Sequence, residues 1–414
     1  MRAAILAVGS ELLTSRPETN SLTLAAALGR FGIRVASKSI VGDRLEELAA
    51  EIGRLQRDHE LVLVTGGLGP TADDLTRQAV AGALGRTLAL DESLAEQIET
   101  AFRRLGRAMP TVNREQAKVI EGARVLINRR GTAPGQRLDA GRCSLFLFPG
   151  VPRELEGMID EHLVPWLASR TDGVALEKRV LRVACLPESE VEEQIAPLYE
   201  RFGEEGIAVL ASPGDVRIEW TAASGDERLD AVGHHLTELL GDAVYGEGAE
   251  ALEVVTGRLL RDAGITLATA ESCTGGLVAE RLTRVAGSST YFVGSIVAYA
   301  NDVKARQLDV SSATLERYGA VSREAAREMA EGVRRRLASD LAVAITGVAG
   351  PSGGTDDKPV GTVWLAWNGP EGTFDTLRRF PGDRRMVRWL ASQWALDGVR
   401  RMVSGRPLLP GVEA

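Results

Sequence analysis

Short apolar runs alternate along the first 170 residues with segments whose apolar positions recur at helical spacing. The strand-like runs are Ala3–Val8, Ile33–Val41, Leu61–Thr65 and Ser144–Phe148. The segments predicted to be helical are Asn20–Phe31, Arg44–Leu55 and Asp91–Leu105. Strands separated by helices are typical of βαβ units, so we predict a three-layer domain with a mainly parallel sheet and ligands at the carboxyl ends of its strands.

The pattern changes over residues 171–250. This stretch predicts two strands and two helices, at Arg179–Cys185, Arg217–Ala222, Glu188–Phe202 and Asp226–Leu240, with residues 246–250 as a linker. We interpret it as a small α+β module.

From residue 251 the alternation restarts. The predicted helices are Leu252–Ala263, Gly276–Val285, Ser322–Leu337 and Arg384–Val403, and the predicted strands are Ile265–Ala270, Ser295–Tyr299, Leu341–Ile345 and Gly361–Trp367. The tail from residue 407 is predicted to be disordered. The chain is therefore expected to be an α/β protein, with two three-layer domains of mainly parallel sheets (residues 1–170 and 251–414) joined by the α+β module (171–250).

Composition excludes several classes of function. The 414 residues carry 49 Lys and Arg against 57 Asp and Glu, a net charge of -8, which argues against a protein that binds nucleic acid by neutralising phosphates. No apolar run is long enough to span a bilayer, and MRAAILAVGSELL is typical of a first strand, not of a signal peptide. The three Cys and four His have no metal-ligand spacing, so a zinc site is not expected. We expect a cytoplasmic protein that does not contact a membrane.

The segment Thr65–Thr76 (TGGLGPTADDLT) follows a predicted buried strand and opens a helix. Glycines there let backbone N–H groups approach an anion at a helix N-terminus, which predicts a phosphate cradle. Asp73 and Asp74 are placed in the first helical turn, where they suit a divalent cation such as Mg²⁺. The alternative is that Thr71 and the two Asp only cap the helix.

Five motifs in this half resemble the molybdopterin-binding-type domain that opens the competence/damage-inducible CinA family: GSELL (9–13), VGD (41–43), TGGLGPTADDLT (65–76), GTAPG (131–135) and FPGVPREL (148–155). The resemblance implies an ADP-ribose pyrophosphatase that needs a divalent metal such as Mg²⁺ or Co²⁺. It implies metal ligation by Asp73, Asp74 and Glu11, and ligand binding by Asn20, Gly66, Gly67, Gly69, Thr71, Gly150 and Glu154. For Glu11, a surface carboxylate at a strand end is the alternative.

The middle module corresponds to the KH-like domain of the same family. A KH domain that grips RNA uses a GxxG loop with basic neighbours. Here the central turn is Ser212–Asp215, and Glu188, Glu190, Glu192 and Glu193 are concentrated in one helix. We therefore expect a structural or dimer-contact spacer and no nucleic-acid partner.

In the last domain a predicted strand delivers Ser272 to a glycine-rich turn that opens a helix. Such a Ser is either an N-cap residue or a nucleophile with backbone donors for an oxyanion. No His follows His235, and only Lys304 and Lys358 occur after residue 250. Because Lys can lose its proton when desolvated and Arg cannot, a Ser/Lys arrangement is the most economical assignment.

Lys304 lies just past a predicted strand and can reach a strand-end site, whereas Lys358 is flanked by acids and is expected to form ion pairs or anchor its loop. Tyr299 either relays a proton or is a core aromatic residue with its hydroxyl at the rim. Ser352 matches G-x-S-x-G, but no helix follows it, and Cys273 has no His partner, so both are poor nucleophile candidates. The loop Thr346–Pro351 suits a phosphate or ribose.

TAESCTGG (269–276), YANDVK (299–304), TGVAGPSGG (346–354), KPVGTVW (358–364) and FPGDR (380–384) resemble the C-terminal domain of the CinA family, a nicotinamide mononucleotide (NMN) deamidase. The resemblance implies Ser272 as nucleophile, Lys304 as general base and Tyr299 as proton relay, with no metal. The residues expected on the substrate are Arg384, Thr274, Gly275, Gly276, Gly347, Gly350, Gly353 and Gly354.

The resemblance of both halves implies a bifunctional pyridine-nucleotide recycling enzyme and a homodimer. Its substrates would be NMN, hydrolysed to nicotinate mononucleotide and ammonia, and ADP-ribose, hydrolysed to AMP and ribose 5-phosphate. Two alternatives stay open. The N-terminal domain could be a molybdopterin-type binding module, or the chain could be a non-catalytic competence accessory protein.

Overall fold

The strongest apolar runs of the sequence form the central strands of two sheets in the computed structural model, which describes residues 1–104, 106–171, 176–204 and 206–408. The chain divides into two units, Met1–Glu177 and Lys178–Ala414. The predicted helix end at Leu105 and the last six residues of the predicted disordered tail lie outside the described residues.

The first unit has a six-stranded sheet in the order β2-β1-β3-β8-β7-β6 and a two-stranded ribbon, β4–β5. Its strands are β1 (Ala3–Val8), β2 (Val35–Val41), β3 (Leu61–Thr65), β4 (Leu88–Leu90), β5 (Lys118–Ile120), β6 (Arg124–Leu126), β7 (Gly135–Ala140) and β8 (Cys143–Phe148). Its helices are α1 (Asn20–Gly29), α2 (Leu45–Asp58), α3 (Thr76–Leu84), α4 (Glu92–Arg104), α5 (Pro152–Met158) and α6 (Val164–Ala168).

Strand β1 is buried along its whole length because helices cover both faces of this sheet. Leu6 packs in one core cluster with Leu48 and Ile52 of α2, and Ile5 packs in another with Leu24 of α1. Strands β2, β1, β3 and β8 are parallel, so their carboxyl ends share one edge, while β7 and β6 are antiparallel additions.

The second unit begins with a four-stranded sheet in the order β10-β11-β9-β12. Its elements are β9 (Leu176–Ala184), α7 (Glu188–Phe202), β10 (Ile207–Ser212), β11 (Asp215–Ala223), α8 (Glu227–Leu240) and β12 (Val244–Glu247). The two helices bury Val191, Ile195, Leu229 and Leu236 with the inward residues of β11 in one core cluster. This arrangement is the expected small α+β module.

The rest of the second unit has a five-stranded sheet in the order β14-β13-β15-β16-β17. Its elements are α9 (Leu252–Ala263), β13 (Leu267–Glu271), α10 (Leu277–Thr283), β14 (Phe292–Val297), α11 (Asn301–Leu308), α12 (Ser312–Arg317), α13 (Arg323–Leu337), β15 (Leu341–Gly347), β16 (Thr362–Gly369), β17 (Gly372–Arg379) and α14 (Arg384–Val403). One core cluster holds α9, α10 and α14, and another holds α11 and α13.

The predicted fold class is confirmed, and the structure adds antiparallel strands at one edge of each large sheet. Strands β14, β13 and β15 are parallel, whereas β16 and β17 form an antiparallel hairpin. The sequence pattern missed β17 because its inward residues include Asp375, which is 1% exposed. Its carboxylate is satisfied by Arg323 and Arg327 of α13, at 2.9 and 2.6 Å.

We expect Gly398→Ala in α14 to destabilise the second unit. A Cβ atom there would lie 2.2 Å from the ring of Trp367, which is fully buried. Overpacking of this kind costs about 1–3 kcal/mol of unfolding free energy. Gly82→Ala in α3 is the matched control, since a Cβ atom there meets nothing within 4 Å. In scanning calorimetry only Gly398→Ala should lower a transition; equal behaviour of the two variants would contradict the packing described.

Candidate functional site

Ser272 lies at the carboxyl edge of the five-stranded sheet, directly after β13. Its backbone N–H donates to the Ile345 carbonyl of β15 at 2.9 Å, which fixes the chain as it leaves the strand. The turn that follows needs left-handed backbone at Gly275 and Gly276, whose φ angles are 60° and 91°. The Ser272 residue is only 8% exposed.

Helix α11 brings Lys304 to this serine. Its Nζ atom lies 3.1 Å from Ser272 Oγ, 2.8 Å from the Ala298 carbonyl and 3.2 Å from the Tyr299 carbonyl. The residue is 1% exposed, and desolvation lowers the pKa of its amine below the usual value for lysine. The structure thus brings the predicted nucleophile and base together.

The three neighbours of Nζ suit both protonation states of the amine. As an ammonium group, it donates one hydrogen bond to each of the three oxygens. As a neutral amine, it donates to the two carbonyls, which can only accept, and its lone pair then receives the Ser272 hydroxyl proton. The arrangement is therefore compatible with a general base that activates the hydroxyl.

The side chain of Tyr299 lies at the surface, whereas a buried proton relay would be enclosed. The residue is 61% exposed, and its Oη atom accepts a hydrogen bond of 2.8 Å from Arg384 of α14. Lys304 contacts its backbone carbonyl. The core-aromatic alternative is therefore excluded by the exposure, whereas the relay role stays a prediction.

A cationic cavity of about 650 Å³ adjoins the start of α14. It is lined by Arg384, Arg385 and Arg388 together with Ala349, Pro351, Val360, Gly382 and Asp383. Arg384 also donates to the Gly350 carbonyl at 2.9 Å, and Arg388 donates to the Thr274 carbonyl at 2.6 and 3.1 Å. An excess of guanidinium groups suits an anionic ligand such as a phosphate.

The other predicted substrate residues lie around the same edge. Thr274 is fully buried, and its hydroxyl has no hydrogen-bond partner among the described residues. Gly275 and Gly276 form the turn, Gly347 ends β15, and Gly353 and Gly354 are exposed in the loop before β16. Their roles stay predictions.

The residues set aside in the sequence are placed as expected. Lys358 anchors its loop by donating to the Tyr318 carbonyl at 2.7 Å. Ser352 lies in a loop that leads to a strand, and burial raises the pKa of the Cys273 thiol to about 12. A thiol of such high pKa is a poor nucleophile at neutral pH.

In the first unit a cleft of about 360 Å³ opens at the carboxyl edge of β1, β3 and β8. Eight of the ten residues predicted for this site line it: Glu11, Asn20, Gly66, Gly67, Gly69, Asp74, Gly150 and Glu154. Gly66 is required there because a Cβ atom would lie 2.2 Å from the Val8 carbonyl oxygen. Thr71 and Asp73 do not line the cleft.

Asn20 presents an unused acceptor to this cleft. Its Nδ2 atom donates to the Thr65 hydroxyl and to the Gly150 carbonyl, both at 2.9 Å. Because a carbonyl can only accept, these bonds fix which side of the amide is nitrogen. The residue is 8% exposed, and its Oδ1 atom is buried without a hydrogen-bond partner among the described residues. A ligand that carries a donor or a positive charge would satisfy it.

Asp74 and Asp73 have different surroundings, and both precede the helix instead of lying in its first turn, since α3 begins at Thr76. The Asp74 carboxylate accepts hydrogen bonds from Gly69 N at 2.7 Å, Thr71 N at 2.8 Å and Thr71 Oγ1 at 2.5 Å. It therefore holds the glycine loop together. Asp73 is exposed.

The predicted metal ligands do not form a cage. No group of three Asp, Glu, His or Cys side chains suited to a metal occurs within residues 1–104, 106–171, 176–204 and 206–408. The carboxylates that face the cleft without serving the glycine loop include Glu11 and Glu154. Desolvation raises the pKa of the Glu154 carboxyl. The hydrogen bond of 2.6 Å from Asn128 lowers it by a smaller amount. The metal itself stays a prediction.

Several residues of these sites escaped the sequence analysis. Arg77 is 4% exposed, and its guanidinium group stabilises the glycine loop by donating hydrogen bonds to the Leu68 and Gly69 carbonyls. Asn128 holds Glu154, and Glu271 is buried directly before the nucleophile. Only Arg77 and Glu271 had a signal, since both lie inside or beside a motif.

The middle module contains a GxxG tetrapeptide, Gly203–Gly206, that the sequence analysis overlooked. Its inner residues are both glutamates, of which Glu205 lies outside the described residues. Acidic side chains repel a phosphate backbone, so this tetrapeptide does not alter the expectation that the module has no RNA partner. That expectation stays a prediction.

The fold and the two edges define a class: a two-unit α/β protein with a Ser/Lys pair on one sheet and a glycine-lined cleft on the other. Three family models match in order, namely "Probable molybdopterin binding domain" (residues 4–169), "Damage-inducible protein CinA KH domain" (178–246) and "CinA C-terminal domain" (249–403). The chain belongs to the CinA family.

Relatives cover nearly the whole chain. The CinA-like protein of Solibacter usitatus is 42% identical over 412 residues, 98% of this chain and 99% of the relative. The CinA-like protein of Acidobacterium capsulatum is 44% identical over 414 residues, with 97% and 99% covered. The solved competence/damage inducible protein CihA from Agrobacterium tumefaciens is 39% identical, covers 36% of this chain and 93% of its own, and gives a TM-score of 0.35.

Among the described residues, none of the helices combines the length and apolar character that a membrane crossing requires.

Asp74→Ala should loosen the glycine loop, whereas Asp73→Asn should leave it unchanged. The first change removes the acceptor of the Gly69 and Thr71 amides, while the second keeps an acceptor oxygen for the Thr71 side chain, whose hydrogen bond lowers the pKa of the Asp73 carboxyl. We expect faster hydrogen exchange at these two amides and a loss of about 1–3 kcal/mol of unfolding free energy for Asp74→Ala. Unchanged exchange in Asp74→Ala, or equal effects of the two changes, would contradict this role.

Proposed function

We propose that the C-terminal part of this CinA-family protein hydrolyses the carboxamide of NMN, giving nicotinate mononucleotide and ammonia. The observation that carries the proposal is the buried pair of Lys304 and Ser272, whose Nζ and Oγ atoms lie 3.1 Å apart. A desolvated lysine beside a serine is an established way to activate a hydroxyl nucleophile. The resemblance of the five surrounding motifs supplies the substrate.

In the proposed reaction, Ser272 Oγ attacks the carboxamide carbon while its proton passes to Lys304 Nζ. The negative charge on the carboxamide oxygen needs preorganised donors. The backbone N–H groups of Cys273 and Thr274 are candidates, since neither donates to another backbone group among the described residues, and the Cys273 N–H contacts only its own thiol. Lys304 then passes the proton to the carboxamide nitrogen, which leaves as ammonia when the C–N bond breaks. Water hydrolyses the acyl-enzyme, releasing the carboxylate product and restoring the Ser272 hydroxyl.

The cationic cavity at the start of α14 suits the 5′-phosphate of a mononucleotide. Arg384 lines this cavity and donates a hydrogen bond of 2.8 Å to the Tyr299 hydroxyl. A phosphate bound by Arg384 would therefore lie close to the Tyr299 side chain. Tyr299 presents an exposed ring and hydroxyl at the rim of the site. We propose that Arg384 binds substrate, and that Tyr299 acts on a proton only in the presence of substrate.

For the N-terminal unit we propose hydrolysis of ADP-ribose to AMP and ribose 5-phosphate with a divalent cation. The unused Asn20 Oδ1 atom in a glycine-lined cleft favours a small ligand with hydroxyl donors or an associated cation. Glu11 and Glu154 would be the carboxylates nearest such a cation, since Mg²⁺ often uses one or two carboxylates plus substrate phosphates. A molybdopterin-type binding module and a non-catalytic accessory protein are the competing proposals.

The deamidase proposal is tested by ammonia release from NMN. Ser272→Ala should abolish turnover, and Lys304→Arg should lower kcat by about 10²-fold or more, because a guanidinium group keeps the charge but cannot accept the proton. Lys358→Arg is the matched control and should retain activity, since Lys358 contacts a carbonyl in another loop. Full activity of Lys304→Arg would reduce Lys304 to a structural role.

The N-terminal proposal is tested by release of AMP from ADP-ribose, with Mg²⁺ or Co²⁺ added and then with EDTA. We expect turnover only with the cation, and the same rate in Ser272→Ala, because that serine belongs to the other unit. Binding of ADP-ribose without turnover would favour a binding module. Absence of both activities, with a DNA mobility shift at low salt, would favour the accessory protein.

A further inference from the structure

Glu271 is the last residue of β13 and directly precedes the nucleophile. It is fully buried, which is unusual for a carboxylate. Its Oε2 atom accepts hydrogen bonds from the backbone N–H groups of Gly276 at 2.9 Å and Val278 at 3.1 Å, and its Oε1 atom accepts one from Ala279 at 2.9 Å. The side chain therefore bends back over the turn and binds the N-terminus of α10.

These bonds determine which amides of the turn are available. The first amides of a helix ordinarily lack partners and attract anions. Here Glu271 uses three of them, so the end of α10 is not open to a substrate phosphate. Within the described residues, the turn amides that donate to no other backbone group and not to Glu271 are those of Cys273 and Thr274.

The turn is also held by its neighbours in the sheet and by α14. Glu271 accepts through its backbone carbonyl from Ala298 N at 2.9 Å, and Ser272 N donates to Ile345 O. Arg388 grips the Thr274 carbonyl from the opposite side through two guanidinium nitrogens. The backbone between Ser272 and Gly276 is thus fixed at both ends, and the Glu271 carboxylate is its inner anchor.

We infer that Glu271 is a positioning residue of the deamidase site: its carboxylate fixes the turn so that Ser272 Oγ faces the carboxamide carbon while the Cys273 and Thr274 amides face the carboxamide oxygen. It does not touch substrate, because it is fully buried and its oxygens are occupied by amide donors. This inference rests on the proposed deamidase function. It adds that the positions of the amides that would stabilise the transition state depend on the carboxylate of Glu271, which is not part of the Ser/Lys pair.

Glu271→Gln tests the inference because the amide side chain keeps the shape but cannot accept from all three amides. Oxyanion donors act on the transition state, and removing one costs about 10²–10³ in kcat. We expect kcat for NMN to fall by about tenfold or more with KM within about twofold, and exchange of the Val278 and Ala279 amides to accelerate. Glu328→Gln is the control. Glu328 lies on α13, away from the turn, and its carboxylate also accepts a hydrogen bond from a backbone N–H, that of Ser311, at 2.7 Å.

Retention of kcat in Glu271→Gln would overturn the inference, as would a rise in KM alone. If Glu271→Gln does not fold, Glu271→Asp, which keeps the charge but is one methylene shorter, is measured in the same way. Failure of both variants to fold would assign Glu271 to the stability of the sheet and overturn the positioning role.

A second readout separates this inference from the proposed function. The rate at which a small sulfonyl fluoride labels Ser272 is followed by mass spectrometry, with Ser272→Ala as the blank. If the wild-type protein does not hydrolyse NMN but is labelled, slower labelling of Glu271→Gln by about tenfold supports positioning and an equal rate overturns it. Absence of labelling in the wild-type protein also overturns it, because there is then no activated nucleophile to position.

Discussion

The C-terminal site depends on the burial of one amine. Lys304 reaches Ser272 from a helix that three residues separate from the end of β14, and the carbonyls of two of these residues accept hydrogen bonds from its amine. Burial of an ammonium group without a carboxylate partner is costly, so the same surroundings that hold the side chain also favour its neutral form. A neutral amine that donates both its protons to the two carbonyls still has one lone pair. The Ser272 hydroxyl is placed to donate its proton to that lone pair.

The two units use the same principle at a sheet edge, namely a carboxylate that accepts backbone amides and so fixes a glycine turn. Asp74 binds the Gly69 and Thr71 amides in the first unit, and Glu271 binds the Gly276, Val278 and Ala279 amides in the second. Charge-assisted bonds of this kind are stronger than neutral ones. Each turn is therefore rigid before a ligand arrives, which lowers the cost of organising the site.

Strand Leu61–Thr65 and helix Arg384–Val403 were predicted with their observed bounds. The strand is buried throughout and leaves an unbroken apolar run, and the helix repeats buried positions over 20 residues. Strand β17 was not predicted. Its inward residue Asp375 is tolerated in the core because it pairs with Arg323 and Arg327, which are about 50 residues away in the sequence. The Ser272/Lys304 pair was predictable from the scarcity of lysine. Asp73 and Asp74 are identical neighbours that only the loop conformation distinguishes, and the TAESCTGG motif marks Glu271 without indicating that its carboxylate is buried.

The central claim, that Lys304 is the base of Ser272 because burial lowers the pKa of its amine, is open to direct titration. The chain has only five lysines, so a protein labelled with ¹³C at lysine Cε should give five signals, and Lys304→Met identifies one by its loss. We expect this signal to titrate at a lower pH than the other four and to change its titration in Ser272→Ala. Titration of all five near the ordinary lysine value of about 10.4 would contradict it.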